Sequence, residues 1–139
     1  MRRARVLSVR VGRGALRLAA TACRAGDDLS VTVTGGELPH LGCVVIARPH
    51  PAQDDLGRTS VTSSIVAFPP HREEALARPL AERLARGLGG TVVVAAGVHT
   101  DGLSEEGIAT FLKLANRLAD RLLAGLNGQS SETPRRSRR

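Results

Sequence analysis

A chain of 139 residues falls in the range of a single domain and is long enough to bury roughly two-thirds of the surface its unfolded form exposes. With two Phe and no Tyr or Trp it has no aromatic platform on which bases stack, and its core falls to Val, Leu, Ile and Ala. The net charge of +7 does not mark a nucleic-acid-binding body: five arginines and no acid in residues 1–13, and four arginines against Glu132 in residues 132–139, leave residues 14–131 with a sum of −1.

Leu7, Val9 and Val11 alternate with polar residues, and Leu16, Leu18 and Ala20 do so again after Gly12-Arg13-Gly14; a period of two with glycines between predicts a hairpin. Leu29 to Thr34 alternates behind the turn-forming Gly26-Asp27-Asp28 and predicts a third half-buried strand. Cys43 to Ala47 is short and continuously apolar, as expected of a strand covered on both faces, and Thr59 to Phe68 is rich in β-branched residues and Ser. After Pro69-Pro70 the period changes. Leu76, Leu80, Leu84 and Leu88 recur every fourth residue among Arg and Glu, which predicts an amphipathic helix closing at the 87–90 glycines, with Pro79 kinking it or breaking it into two short turns. Thr91 to Ala96 predicts a buried strand. Ser104 is a good N-cap, followed by Glu105 and Glu106 where negative charge suits the helix dipole, so a second helix starts there with Ile108, Phe111, Leu112, Ala115, Leu118, Ala119, Leu122 and Leu123 on its apolar face and Gly125 as its stop.

The order βββββαβα, with short links between strands, gives an α+β fold: a mostly antiparallel sheet with both helices packed on one side. Residues 1–127 form one domain and residues 128–139 an arginine-rich tail too polar to order. Cys23 and Cys43 have no CxxC spacing, Met1-Arg2-Arg3 leads into an alternating segment, and no stretch approaches 18 apolar residues, so the expected setting is cytoplasmic with both thiols reduced as small hydrophobes.

Three of the four histidines lie in Gly- or Pro-marked connections. In the first, Gly35-Gly36 lets backbone N–H groups approach a ligand or serves as a plain turn, and Pro39 stiffens the loop holding His40. The second, His71-Arg72-Glu73-Glu74, opens the first helix, where unpaired N–H groups and a guanidinium suit phosphate, unless the two glutamates satisfy that dipole themselves. In the third, Gly97-Val98-His99-Thr100-Asp101, Asp101 is placed to orient the His99 ring or to bond local backbone. His50, between Pro49 and Pro51, reads as a solvated loop residue. His40, His71, His99 and Asp101 have the ligand types of zinc but lack its usual close spacing, and no nucleophile elbow is present, so no catalytic or metal residue is assigned.

Taken together, Val31 to Gly36 with Pro39-His40-Leu41-Gly42, then His71-Arg72-Glu73 before a helix, then Ala96 to His99 with Asp101 before the last helix, resemble the LpdD-like prenylated-flavin chaperones over residues 29–123. The family shows Gly before the second His and Lys after it, where this chain has Pro70 and Arg72; arginine keeps the charge, while proline removes a donor and fixes φ. The resemblance implies a homodimer with a proteasome-assembly-chaperone-like fold that binds reduced prenylated FMN, or FMN, and delivers it to a UbiD-type decarboxylase without being an enzyme itself. It also implies a flavin site drawn from Gly35, Gly36, Pro39, His40, His71, Arg72, Gly97, His99 and Asp101. Two other readings stand beside it: a metal-dependent or acid-base enzyme using His40, His71 and His99, and an assembly chaperone without a ligand.

Overall fold

The computed structural model describes residues 5–54, 56–69 and 73–130. The six strands and two helices follow the expected order: β1 (Val6–Arg13), β2 (Leu16–Ala25), β3 (Asp28–Gly36), β4 (Cys43–Pro51), β5 (Thr59–Ala67), α1 (Glu74–Leu88), β6 (Val92–His99) and α2 (Glu105–Ser130). The strands form one sheet in the order β1-β2-β3-β6-β4-β5. Every neighbouring pair is antiparallel except β3 and β6, which run parallel at the centre.

Register assigns the two faces of this sheet. One row places Leu7, Ala22, Val31, Val94, Val45 and Ile65 side by side, and the next places Val9, Ala20, Val33, Ala96 and Cys43. This face carries the buried aliphatic residues, and the helices cover it. Leu76, Leu80 and Leu84 of α1 meet β4, β5 and β6, while Phe111, Leu118 and Leu122 lie on α2, which crosses β1 and β2. Burying a side chain of this size stabilises by about 1.5–3 kcal/mol, so the leucine stripe at every fourth position is what fixes each helix against the sheet.

On the opposite face Val6, Cys23, Ser30, Val93, Ile46 and Ser64 form one row, and Ser8, Thr21, Thr32, Ala95, Val44 and Val66 form another. None of these twelve is charged, and Ile46 and Val66 are 44% and 61% exposed. The expectation that β4 is covered on both faces is thereby corrected. Its apolar run reflects one buried face and one open apolar face.

Several other local expectations change. Pro79 breaks nothing: α1 runs without interruption from Glu74 to Leu88, because the buried leucines on both sides of the proline hold the helix across the missing N–H. Gly125 does not stop α2, which continues to Ser130 with Leu126 fully buried beyond the glycine. Ladder pairing with β3 carries β6 past Ala96 to His99, so Gly97 and His99 are strand residues and Gly36 is the parallel partner of His99. His50 is likewise on a strand: β4 pairs with β5 as far as Pro51, but its pairing with β6 ends at Ala47, so Pro49 and Pro51 lie where no β6 partner needs their N–H.

Candidate functional site

Insertion of β6 between β3 and β4 forces the chain to leave the ends of two parallel neighbours in different directions. From Gly36 it loops through residues 37–42 into β4, and from His99 it turns into α2. In open sheets with parallel strands, a crevice forms at such a divergence. Here it is bounded by the start of α1 on one side and by the start of α2 on the other.

Glycines set the fit of the 37–42 loop. A Cβ on Gly97 would sit 1.6 Å from the His40 carbonyl oxygen, so only glycine lets the loop lie directly on β6. Gly36 has φ +73°, and a Cβ there would meet the His99 carbonyl oxygen at 2.2 Å. That carbonyl accepts hydrogen bonds from the N–H groups of Glu37 and Leu38, at 2.8 and 3.4 Å. The close approach that Gly35 and Gly36 permit is thus to the protein's own chain, since Gly35 lies equally tight against Arg17 and Leu18. Pro39 is exposed in the same loop.

Two of the predicted imidazoles converge. The rings of His40 and His99 stand edge to face with centroids 6.0 Å apart, although 59 residues separate them in the chain. His99 Nε2 is 2.9 Å from Asp101 Oδ1, the pairing expected from their spacing. His40 Nδ1 is 3.0 Å from the Leu38 carbonyl oxygen and its Nε2 is 3.0 Å from Glu73 Oε1. A carbonyl oxygen only accepts, so Nδ1 is the donor to Leu38. His71 and Arg72 lie outside the described residues; they immediately precede Glu73 in the chain.

Glu73 is the residue that sequence reasoning missed. The sequence places it in the His71-Arg72-Glu73 motif but gives it no role beyond answering the helix dipole, whereas its side chain is 94% buried and makes no capping bond. Its Oε1 also accepts the Val98 N–H at 3.4 Å. The available signal was a glutamate at a helix start directly after a His-Arg pair, which is indistinguishable by sequence from an ordinary first-turn acid. Its charge reaches the core: the Cys43 thiol is pushed above its ordinary value by burial first, then by the carboxylates of Glu73 and Glu74.

Beside these groups opens a cavity of about 510 Å³, within the range of small-molecule sites. Leu76, Val98, Leu103, Ile108, Phe111 and Leu112 give it apolar walls, and Glu73, His99 and Thr100 supply polar atoms. Leu103, Ile108, Phe111 and Leu112 also went unrecognised as site residues, because an apolar stripe at helical spacing gives no sign of which members face a cavity. Both helix N-termini border it. Ser104 caps α2 by accepting the Gly107 N–H at 3.1 Å, and Glu105 and Glu106 follow in the first turn. Among the described residues no three His, Cys, Asp or Glu side chains gather as a metal-binding group.

Residues 12–127 match the family model described as the prenylated flavin chaperone LpdD-like domain. Protein LpdD of Lactiplantibacillus plantarum (strain ATCC BAA-793 / NCIMB 8826 / WCFS1) is 26% identical over 106 residues, a span covering 73% of this chain and 71% of that protein. Among solved structures, a chain of a chaperone complex for yeast 20S proteasome assembly superposes with a TM-score of 0.58 at 14% identity, covering 86% of this chain and 94% of its own. That likeness is one of fold, and it agrees with the α+β arrangement read from the strand order.

Proposed function

Because the chain belongs to the prenylated flavin chaperone LpdD-like family, we propose that it binds reduced prenylated FMN, or FMN, and hands it to a UbiD-type decarboxylase as an accessory protein and not as an enzyme. The observation that carries this reading is the meeting of His40 and His99 beside an apolar cavity of about 510 Å³ bordered by two helix N-termini. A tricyclic ring needs an apolar slot with a few convergent polar groups, and the residues present fit that requirement. Leu76, Ile108, Phe111 and Leu112 take the ring, His99 with Asp101 supplies hydrogen-bonding groups, and His40 backs His99 with both of its ring nitrogens engaged within the protein. The phosphate falls to Arg72 and His71, which precede Glu73 in the chain, on the strength of their donor groups and the arginine charge, since acids occupy the first turns of both helices. Gly36, Gly97 and Pro39 shape the loop that carries His40 behind His99, and Gly35 the strand that leads into it.

When bound, the flavin would supply the ring system on which the decarboxylase acts; this chain's part is to hold it, shield it from water and release it. Release argues for micromolar affinity, about 8 kcal/mol. A homodimer is part of the same proposal: the outer face of the sheet, two of whose rows carry no charge and leave Ile46 and Val66 partly exposed, is the kind of surface that a second copy buries. The setting proposed is the cytoplasm.

Protein produced anaerobically beside a prenyl-FMN source should carry a flavin seen by absorbance and intact mass, and sediment at twice the chain mass. A folded preparation that stays colourless and does not quench added FMN fluorescence would refute the flavin reading, and a monomer at high concentration would refute the dimer.

A further inference from the structure

A second hollow adjoins the cavity. It holds about 230 Å³ between α1 and α2, and Ala75, Leu76 and Leu112 belong to the walls of both spaces. Beyond that shared wall, Pro79 and Leu80 of α1 and Ala115 and Ala119 of α2 line it. Ala75 and Pro79 stand four residues apart and so share one side of α1, and the same spacing puts Ala115 and Ala119 on one side of α2. Short side chains at these four positions leave open the space that longer ones would fill. A helix interior disfavours proline, yet Pro79 sits on this wall, where its ring is apolar and it brings no N–H. Leu80, Ala115 and Ala119 are buried and form the floor, while Ala75 and Pro79 are exposed and form one rim. Arg83 closes the far end by bridging the helices: it donates to the Asn116 carbonyl oxygen at 3.0 Å and pairs with the Asp120 carboxylate.

Polarity therefore runs one way along the combined space. Glu73, His99 and Thr100 lie at the cavity end, whereas among the described residues only Arg83 and Asn116 of the hollow's lining are polar. An aliphatic group placed there frees water from apolar walls, and a polar one gains little in return for its lost hydration. A space of about 230 Å³ is too small for a whole cofactor but suits a side group of one. We propose that the hollow between α1 and α2 is the subsite for the prenyl-derived carbon of the ligand, and that Pro79, Ala115 and Ala119 thereby make the chain select prenylated FMN over FMN. This inference rests on the flavin reading of the main cavity, but the hollow can be probed without a flavin.

In anaerobic titrations, wild-type protein should bind reduced prenylated FMN roughly tenfold more tightly than dithionite-reduced FMN. Ala115→Leu fills the floor of the hollow. Pro79→Leu lays a longer chain across it from an exposed position and gives α1 back its missing N–H, so it decides the matter should Ala115→Leu fail to fold. Each variant should weaken prenylated FMN roughly tenfold and leave FMN within about twofold, erasing the preference. A wild type without preference, equal losses for the two ligands, or an undiminished preference in a folded variant would each overturn the proposal. In the ligand-free protein, prenyl alcohol at millimolar concentration should shift the Ala115 and Ala119 methyl signals by NMR, and signals that stay in place would overturn it as well. Shifted methyls in a protein that binds neither flavin would sink the flavin reading and leave the hollow standing as an isoprenoid subsite.

Discussion

At one end of the sheet His40 and His99 face each other across the divergence of β3 and β6; at the other end His50 sits on β4 between Pro49 and Pro51. Both ends hold a cleft of similar size, about 510 Å³ and about 530 Å³. The far cleft is lined by Pro49, His50, Ala52, Arg58 and other small or polar residues, with none of the leucine, isoleucine and phenylalanine walls of the first. His50 spends its nitrogens on the Pro51 carbonyl and the Thr62 hydroxyl, both exposed contacts, while His40 reaches a buried carboxyl. Volume and a histidine in a proline- or glycine-marked segment are therefore common to both. What separates the ends is convergence from distant parts of the chain onto an apolar slot.

The largest expected difference between the ends is steric. Gly97→Ala places a methyl against the His40 carbonyl and should destabilise by about 3 kcal/mol, read from the urea midpoint. Gly57→Ala at the far end meets open space and suffers only its φ of +70°, about 1 kcal/mol. If the two variants unfold at the same urea concentration, the loop is not seated as described. Next comes binding: His99→Ala should weaken FMN roughly tenfold and His50→Ala not at all, and equal losses in a fluorescence titration would erase the distinction. The smallest effect concerns Cys43, whose raised thiol pKa means that the folded chain holds its proton more tightly than the unfolded chain does. The associated stability is whole below the ordinary value of 9.0 and falls away as pH rises through the folded value. Native-state iodoacetamide labelling at pH 8, mapped by mass, should spare Cys43; ready modification would contradict its burial beside Glu73.

Strand alternation, the leucine stripes and the Ser104 cap made the element order legible, because each is a local signature of how one segment meets one face. The errors arose where a neighbour decides. Nothing in Ala96 to His99 announces that Gly36 extends the ladder to its last residue, and nothing in Val44 or Ile46 tells an open face from a covered one. At the site, His40, His99 and Asp101 were visible because glycine and proline mark the segments that hold them. Glu73 was not, since burial of a first-turn glutamate is a property of the assembled loop, α1 and β6 and of no single stretch.

The prolines flanking His50 bear on a different hazard. Beyond Ala47 the β4–β5 ribbon projects past the rest of the sheet with one side open, the sort of border onto which a stray extended segment adds itself and seeds fibrils. Pro49 and Pro51 bring no amide hydrogen to that border, so an incoming backbone finds no donors at those two positions. The protrusion is thereby kept from recruiting its neighbours in a crowded cell.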